Sequence, residues 1–72
     1  MKHTEIKYDK IGVRLKDLRK AKGYSQNGLA IRAGVNWETI KRCEAGRSNL
    51  SLMTAVRICD ALNITLDYFV GR

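Results

Sequence analysis

The chain of 72 residues has no proline, one histidine, one tryptophan and two cysteines. Each scarcity removes a class of protein. Cys43 and Cys59 show neither the C-x-x-C spacing of zinc and redox motifs nor the cysteine density of a disulfide-stapled secreted domain. A structural zinc site wants four ligands, and these two thiols with His3 fall short, so no metal is expected. One histidine in the N-terminal tail leaves no nucleophile–base pair, which argues against an enzyme and against a cofactor. No apolar run approaches the ~20 residues of a membrane span. The polar stretch Met1 to Lys10 carries no secretory leader. These absences predict a cytoplasmic protein with reduced thiols and no membrane partner. At this length only roughly 60% of the unfolded chain's surface is buried on folding, so the core must pack efficiently or gain from association.

What is present is positive charge, unevenly placed. Hydrophobic residues make up 44% and charged residues 29%, a globular balance, with a net charge of +7. Residues 1–50 hold 12 basic and 5 acidic side chains, and residues 51–72 hold 2 of each. The whole surplus therefore sits in the first two-thirds. A basic front and a neutral tail suggest one face for a polyanion and another for a different contact.

The periodicity predicts an all-α domain of five short helices over residues 9–72, preceded by an N-terminal arm at residues 1–8. The first helix is expected over 9–22, with Ile11, Leu15 and Leu18 inward and Arg14, Lys16, Asp17 and Lys20 on the wet side. Without proline, glycines and caps must end the helices. Gly23, Gly34 and Gly46 follow the first three, because glycine tolerates the left-handed conformation after a last turn. Ser25, Asn36, Ser51 and Thr65 are the N-caps of the others. The fourth helix is given the stripe Leu52, Ala55, Val56, Cys59 and Leu62, with Ile58 on its shoulder. Leu66, Phe69 and Val70 mark a last short helix.

The segment Gln26 to Ala45, QNGLAIRAGVNWETIKRCEA, carries the functional information. Two helices of eight and nine residues are joined by Gly34, Val35 and Asn36. Such a steep crossing needs a small residue at the closest approach, supplied by Ala30. It needs positive φ in the turn, supplied by Gly34, and an apolar plug, supplied by Leu29, Val35, Ile40 and Cys43. Helix-turn-helix units are built this way, with the second helix free for the major groove of double-stranded DNA.

The stretch SQNGLAIRAGVNWETIKRCEAGRS resembles the helix-turn-helix core of the phage repressor and Cro type, the xenobiotic-response-element family of transcriptional regulators. IGVRLKDLRKAKGYSQ and SLMTAVRICDALNITLDYF are similar to that family's flanking helices. The resemblance covers roughly residues 10–70. Three positions depart from the family pattern. Gly28 stands where an acidic residue would complete a capping box, Ala45 where Asn is common, and Leu50 where Pro is frequent. The resemblance implies a dimeric, DNA-binding regulator, most simply a repressor, acting in the cytoplasm on nucleoid DNA. It implies that Gln26 bonds a phosphate and buttresses the start of the recognition helix, and that Arg19 and Glu44 form a structural ion pair.

On the recognition helix, residues 37–45, the outward side chains are Trp37, Glu38, Lys41 and Arg42. Arg42 suits the O6 and N7 of guanine, Lys41 a base or phosphate, and Glu38 the N4 of cytosine. Trp37 suits a thymine methyl or a phosphate, and equally a lid over the turn. Gln26, with Asn27 beside it, lies where free N–H groups favour an anion. Arg47, Ser48 and Asn49 form a polar loop suited to the other phosphate strand. Lys2, His3, Lys7 and Lys10 of the arm offer nonspecific phosphate contacts. Ile64, Leu66, Tyr68, Phe69 and Val70 crowd the neutral tail and are expected to form a homodimer contact. A dimer would read a pseudo-palindromic operator with half-sites roughly 34 Å apart. Two other readings share these residues: the DNA-binding antitoxin or partner-controlled module with a small protein partner, and the controller protein of a restriction–modification system.

Overall fold

The computed structural model describes residues 8–71. It contains α1 (Tyr8–Ala21), α2 (Gln26–Ala33), α3 (Trp37–Glu44), α4 (Leu52–Leu62) and α5 (Leu66–Val70). No strand occurs among the described residues. Most of the expected arm, including Lys2, His3 and Lys7, lies outside the described residues.

The helix ends follow the local chemistry. Ser25 is extended at the head of α2, and its hydroxyl accepts from the Gly28 amide. Asn36 accepts from the Glu38 amide, Ser51 from Thr54 and Thr65 from Tyr68. At the end of α2, Gly34 turns left-handed at φ 69°, and Val35 N donates to the Ala30 carbonyl at 3.0 Å. That pattern satisfies carbonyls the helix would otherwise leave open. Asn63 does the same for α4 at φ 59°, one of the few non-glycine types that accepts that region. The missing acid at Gly28 leaves α2 with the hydroxyl half of a capping box. Replacing Pro by Leu50 still gives a capped α4.

α3 packs on α1 and α2, α2 also packs on α4, and α5 closes the bundle against α1 and α4. The core consists of Ile11, Leu15, Leu29, Ala30, Ala33, Ile40, Cys43, Ala55, Ile58, Cys59, Leu62 and Phe69. Burying each large member fully is worth roughly 1.5–3 kcal/mol. Val35 and Leu50 lie half-buried against this core.

Three expectations need correction. On α4 the buried stripe is Ala55, Ile58, Cys59 and Leu62. Leu52 is 69% exposed and Val56 37% exposed, while Ile58 is fully enclosed. Only Thr54, Arg57 and Asp60 break the apolar run of this helix, so periodicity fits two stripes equally well. Packing against α2 and α5 chooses between them. Phe69, expected at a dimer contact, is 1% exposed and seals the monomer core. The third correction concerns Arg14, which does not lie free on the wet side. Its guanidinium donates to the carbonyl oxygens of Tyr68 at 2.6 Å and Phe69 at 2.9 Å. It also stacks on the Tyr68 ring, 4.9 Å from the centroid.

One contact has no counterpart in the sequence reading. Gly12 is buried where α1 crosses α3. A Cβ there would overlap the Cys43 carbonyl oxygen and come within 3.1 Å of the Glu44 Cα. The absence of a side chain lets the backbones of α1 and α3 touch.

Candidate nucleic-acid interface

Helix α3 is two-sided. Ile40 and Cys43 are completely buried, and Trp37, Glu38, Lys41 and Arg42 are all exposed. A spacing of three to four residues puts the buried pair on one stripe and the four polar or aromatic side chains on the other. Asn36 caps the first turn, where Glu38 meets the positive end of the helix dipole. Lys41 and Arg42 fall in the last turn, which favours cations.

The far end of α3 is anchored by Glu44. Arg19 on α1 forks onto it, with Nε to Oε2 at 2.7 Å and Nη2 to Oε1 at 2.9 Å. The Arg19 Nη1 donates to the Tyr24 carbonyl at 2.8 Å. The Gln26 Nε2 donates to the same Oε1 of Glu44 at 3.0 Å. Side chains of Arg19 and Glu44 are 9% and 4% exposed. Hydrogen bonding to Glu44 raises the Arg19 pKa further, against the opposing effect of burial. Two buried charges so closely bonded fix geometry more than they add stability, and stranding either alone costs about 3–5 kcal/mol. Among the described residues no buried side-chain polar atom lacks a partner.

Gln26 therefore supports the end of α3 rather than its start. Its amide group has two hydrogens, and the contact with Glu44 uses one. Gln26 at the head of α2 lines an open depression together with Arg19, Ser25, Asn27 and Trp37. Trp37 forms one wall of that depression and is 43% exposed. The helix N-terminus beside this shallow depression suits a phosphate. Beyond α3, the chain turns at Gly46 with φ 76°, and the Arg47 amide donates to the Arg42 carbonyl at 2.9 Å. Arg47 and Asn49 are exposed, and Ser48 is half-buried.

In the tail, Tyr68 is exposed and Ile64, Leu66 and Val70 are half-buried against the core. Cys43 and Cys59 are free and buried. Burial pushes the Cys43 thiol up to about 11, with the Glu44 charge adding to it. The Cys59 thiol is raised for the same reason, with Asp60 as the neighbouring charge. No cluster of metal-ligating side chains occurs among the described residues. No helix among them is long and apolar enough to cross a membrane.

Two short helices packed together, a glycine turn and an outward polar stripe on the second helix define a helix-turn-helix unit. The profile of the family described as "Helix-turn-helix domain" matches residues 10–67, and the chain belongs to that family. It is 35% identical over 63 residues to the cryptic phage CTXphi transcriptional repressor RstR of Vibrio cholerae, covering 88% of this chain and 56% of that one. The chain thus spans little more than half the length of that repressor. The restriction–modification controller protein C.AhdI of Aeromonas hydrophila has a similar structure, with a TM-score of 0.82 and 35% identity, covering 86% of this chain and 94% of that one. SinR, a master regulator for biofilm formation solved in complex with DNA, superposes with a TM-score of 0.80 at 31% identity, covering 83% of this chain and 97% of that chain. SinR is also known in a complex with the protein SinI.

Proposed function

We propose that this chain is the DNA-binding domain of a transcriptional regulator, acting without catalysis as a repressor on cytoplasmic, nucleoid-associated DNA. The observation that carries this reading is the division of α3. Its apolar stripe is locked into the core, its end is clamped by Arg19 and Gln26 through Glu44, and Trp37, Glu38, Lys41 and Arg42 are left outward. In this reading α3 lies in the major groove. Arg42 reads guanine, Gln26 and Asn27 hold one phosphate strand, and Arg47, Ser48 and Asn49 meet the other. Two copies bind a pseudo-palindromic operator, joined through the end of the molecule that carries Tyr68, Ile64, Leu66 and Val70.

The likeness to C.AhdI, nearly as long as this chain, supports a controller protein of a restriction–modification system as a second reading. The SinR/SinI complex supports a third, a regulator governed by a small protein partner. All three require the same DNA face.

Selection of binders from a random duplex pool supplies the operator, and single-base-pair variants then test the face. Arg42→Ala is expected to lose roughly 1–3 kcal/mol of discrimination at one base pair. Gln26→Ala is expected to weaken every site about equally. Unchanged relative affinities for Arg42→Ala would refute this docking.

A further inference from the structure

The four outward residues of α3 stand in two couples, each spanning one turn. The Lys41 ammonium lies over the Trp37 ring, 4.9 Å from its centroid. The Arg42 Nε lies 4.0 Å from the Glu38 Oε2, and both side chains are more than half exposed. The first residue of each couple comes from the first turn, and the second is a cation from the last turn.

We propose that Trp37 and Glu38 are positioning residues that aim Lys41 and Arg42 at the DNA, and are not independent readers of bases. This rests on the proposed role of α3 in the major groove. A long cationic side chain has rotamer freedom to lose when it docks, and a partner that already restrains it reduces that loss. Guanidinium is planar with five donors, so the edge near Glu38 can be held while another edge remains for the two acceptors of guanine. A carboxylate standing alone in a groove lined by phosphates is repelled, whereas one beside Arg42 has its charge compensated. The tryptophan face offers Lys41 the strongest aromatic platform for a cation. Trp37 also lines the depression beside Gln26 and Asn27. Sequence spacing alone gives i, i+4 neighbours on a helix, and the side-chain placement brings the partners of both pairs within reach of each other at once.

The test uses the full chain, the selected duplex and its single-base-pair variants, with affinities read by fluorescence anisotropy. Glu38→Gln is expected to relax preference at the same base pair as Arg42→Ala, roughly fivefold to tenfold, while affinity for random duplex rises because a negative charge has gone. Trp37→Ala is expected to share the base-pair profile of Lys41→Ala, and Trp37→Phe, which keeps an aromatic face, to restore the parent profile. Without DNA, Lys41→Met is expected to change the emission of Trp37, the single tryptophan of the chain. A base pair of its own for Glu38→Gln or Trp37→Ala, or parent-like preferences in those variants, would overturn the proposal for that couple. Unaltered Trp37 emission in Lys41→Met would overturn it for the aromatic couple. Parent-like preferences in both Arg42→Ala and Lys41→Ala would instead overturn the underlying reading of α3.

Discussion

At Gly12 a hydrogen stands where any other residue would drive a carbon into the backbone of α3. Helix propensity favours Gly12→Ala by about 1 kcal/mol, because glycine loses more chain entropy. The overlap with the Cys43 carbonyl opposes it, and backbone cannot swing aside as a side chain can. Overpacking of this kind costs typically about 1–3 kcal/mol, so Gly12→Ala is expected to lower the urea midpoint despite its better propensity. A midpoint at or above the parent's would show that α1 and α3 can part without cost. Cys43, across the same contact, makes a pH-dependent contribution. Its folded thiol keeps a proton up to about 11, above the range where an exposed thiol loses it. Between about pH 9 and pH 11 the folded state therefore binds more protons than the unfolded one, and stability falls as pH rises. The expected fall is on the order of 2 kcal/mol and absent in Cys43→Ala, measured as the difference between their stability curves over that interval. Parallel curves would rule the effect out.

Elements of this length do not stand alone. Helix α5 has five residues, far below the ~12–15 at which an isolated helix becomes marginal in water. Phe69 holds it from inside and Arg14 from outside, through its bonds to the last-turn carbonyls and the Tyr68 ring. Arg14→Ala is expected to cost about 1.5–3 kcal/mol at most, with solvent screening reducing the effect. Hydrogen exchange is the better measurement, because α5 amides should lose protection while those of α2 and α3 keep theirs. Equal protection throughout would mean Phe69 alone retains α5. The sequence placed Arg14 on the wet face because its helix position says so. It could not say that α5 folds back to meet that face. Gly12 carried a weak signal, since a glycine inside a helical pattern often marks a close backbone approach.

Over the whole molecule, the surplus of positive charge lies in residues 1–50, while residues 51–72, which include α4 and α5, are neutral. Beyond Tyr68, α4 leaves Leu52 and Met53 more than 60% exposed. Sedimentation with the selected operator is expected to show two chains on a full two-fold site. A duplex carrying one half-site should bind one chain far more weakly. Affinity should fall steeply with salt, because each phosphate neutralised releases counterions. One chain per full site, with no loss on halving it, would refute the dimer.

Local chemistry makes much of this protein legible in its amino-acid order alone. Ser25, Asn36, Ser51 and Thr65 cap the helices they precede, Gly34 makes the turn, and Ile40 and Cys43 face inward, because capping, left-handed turns and 3.6-residue spacing act over a few residues. The outward set of Trp37, Glu38, Lys41 and Arg42 follows from the same period. Tertiary structure decided what depends on partners distant in sequence. It buried Ile58 rather than Val56, enclosed Phe69, turned Arg14 onto α5 and attached Gln26 to the end of α3. A helix can present two stripes of equal hydrophobicity, and only the helices packed against it select the one that leaves water.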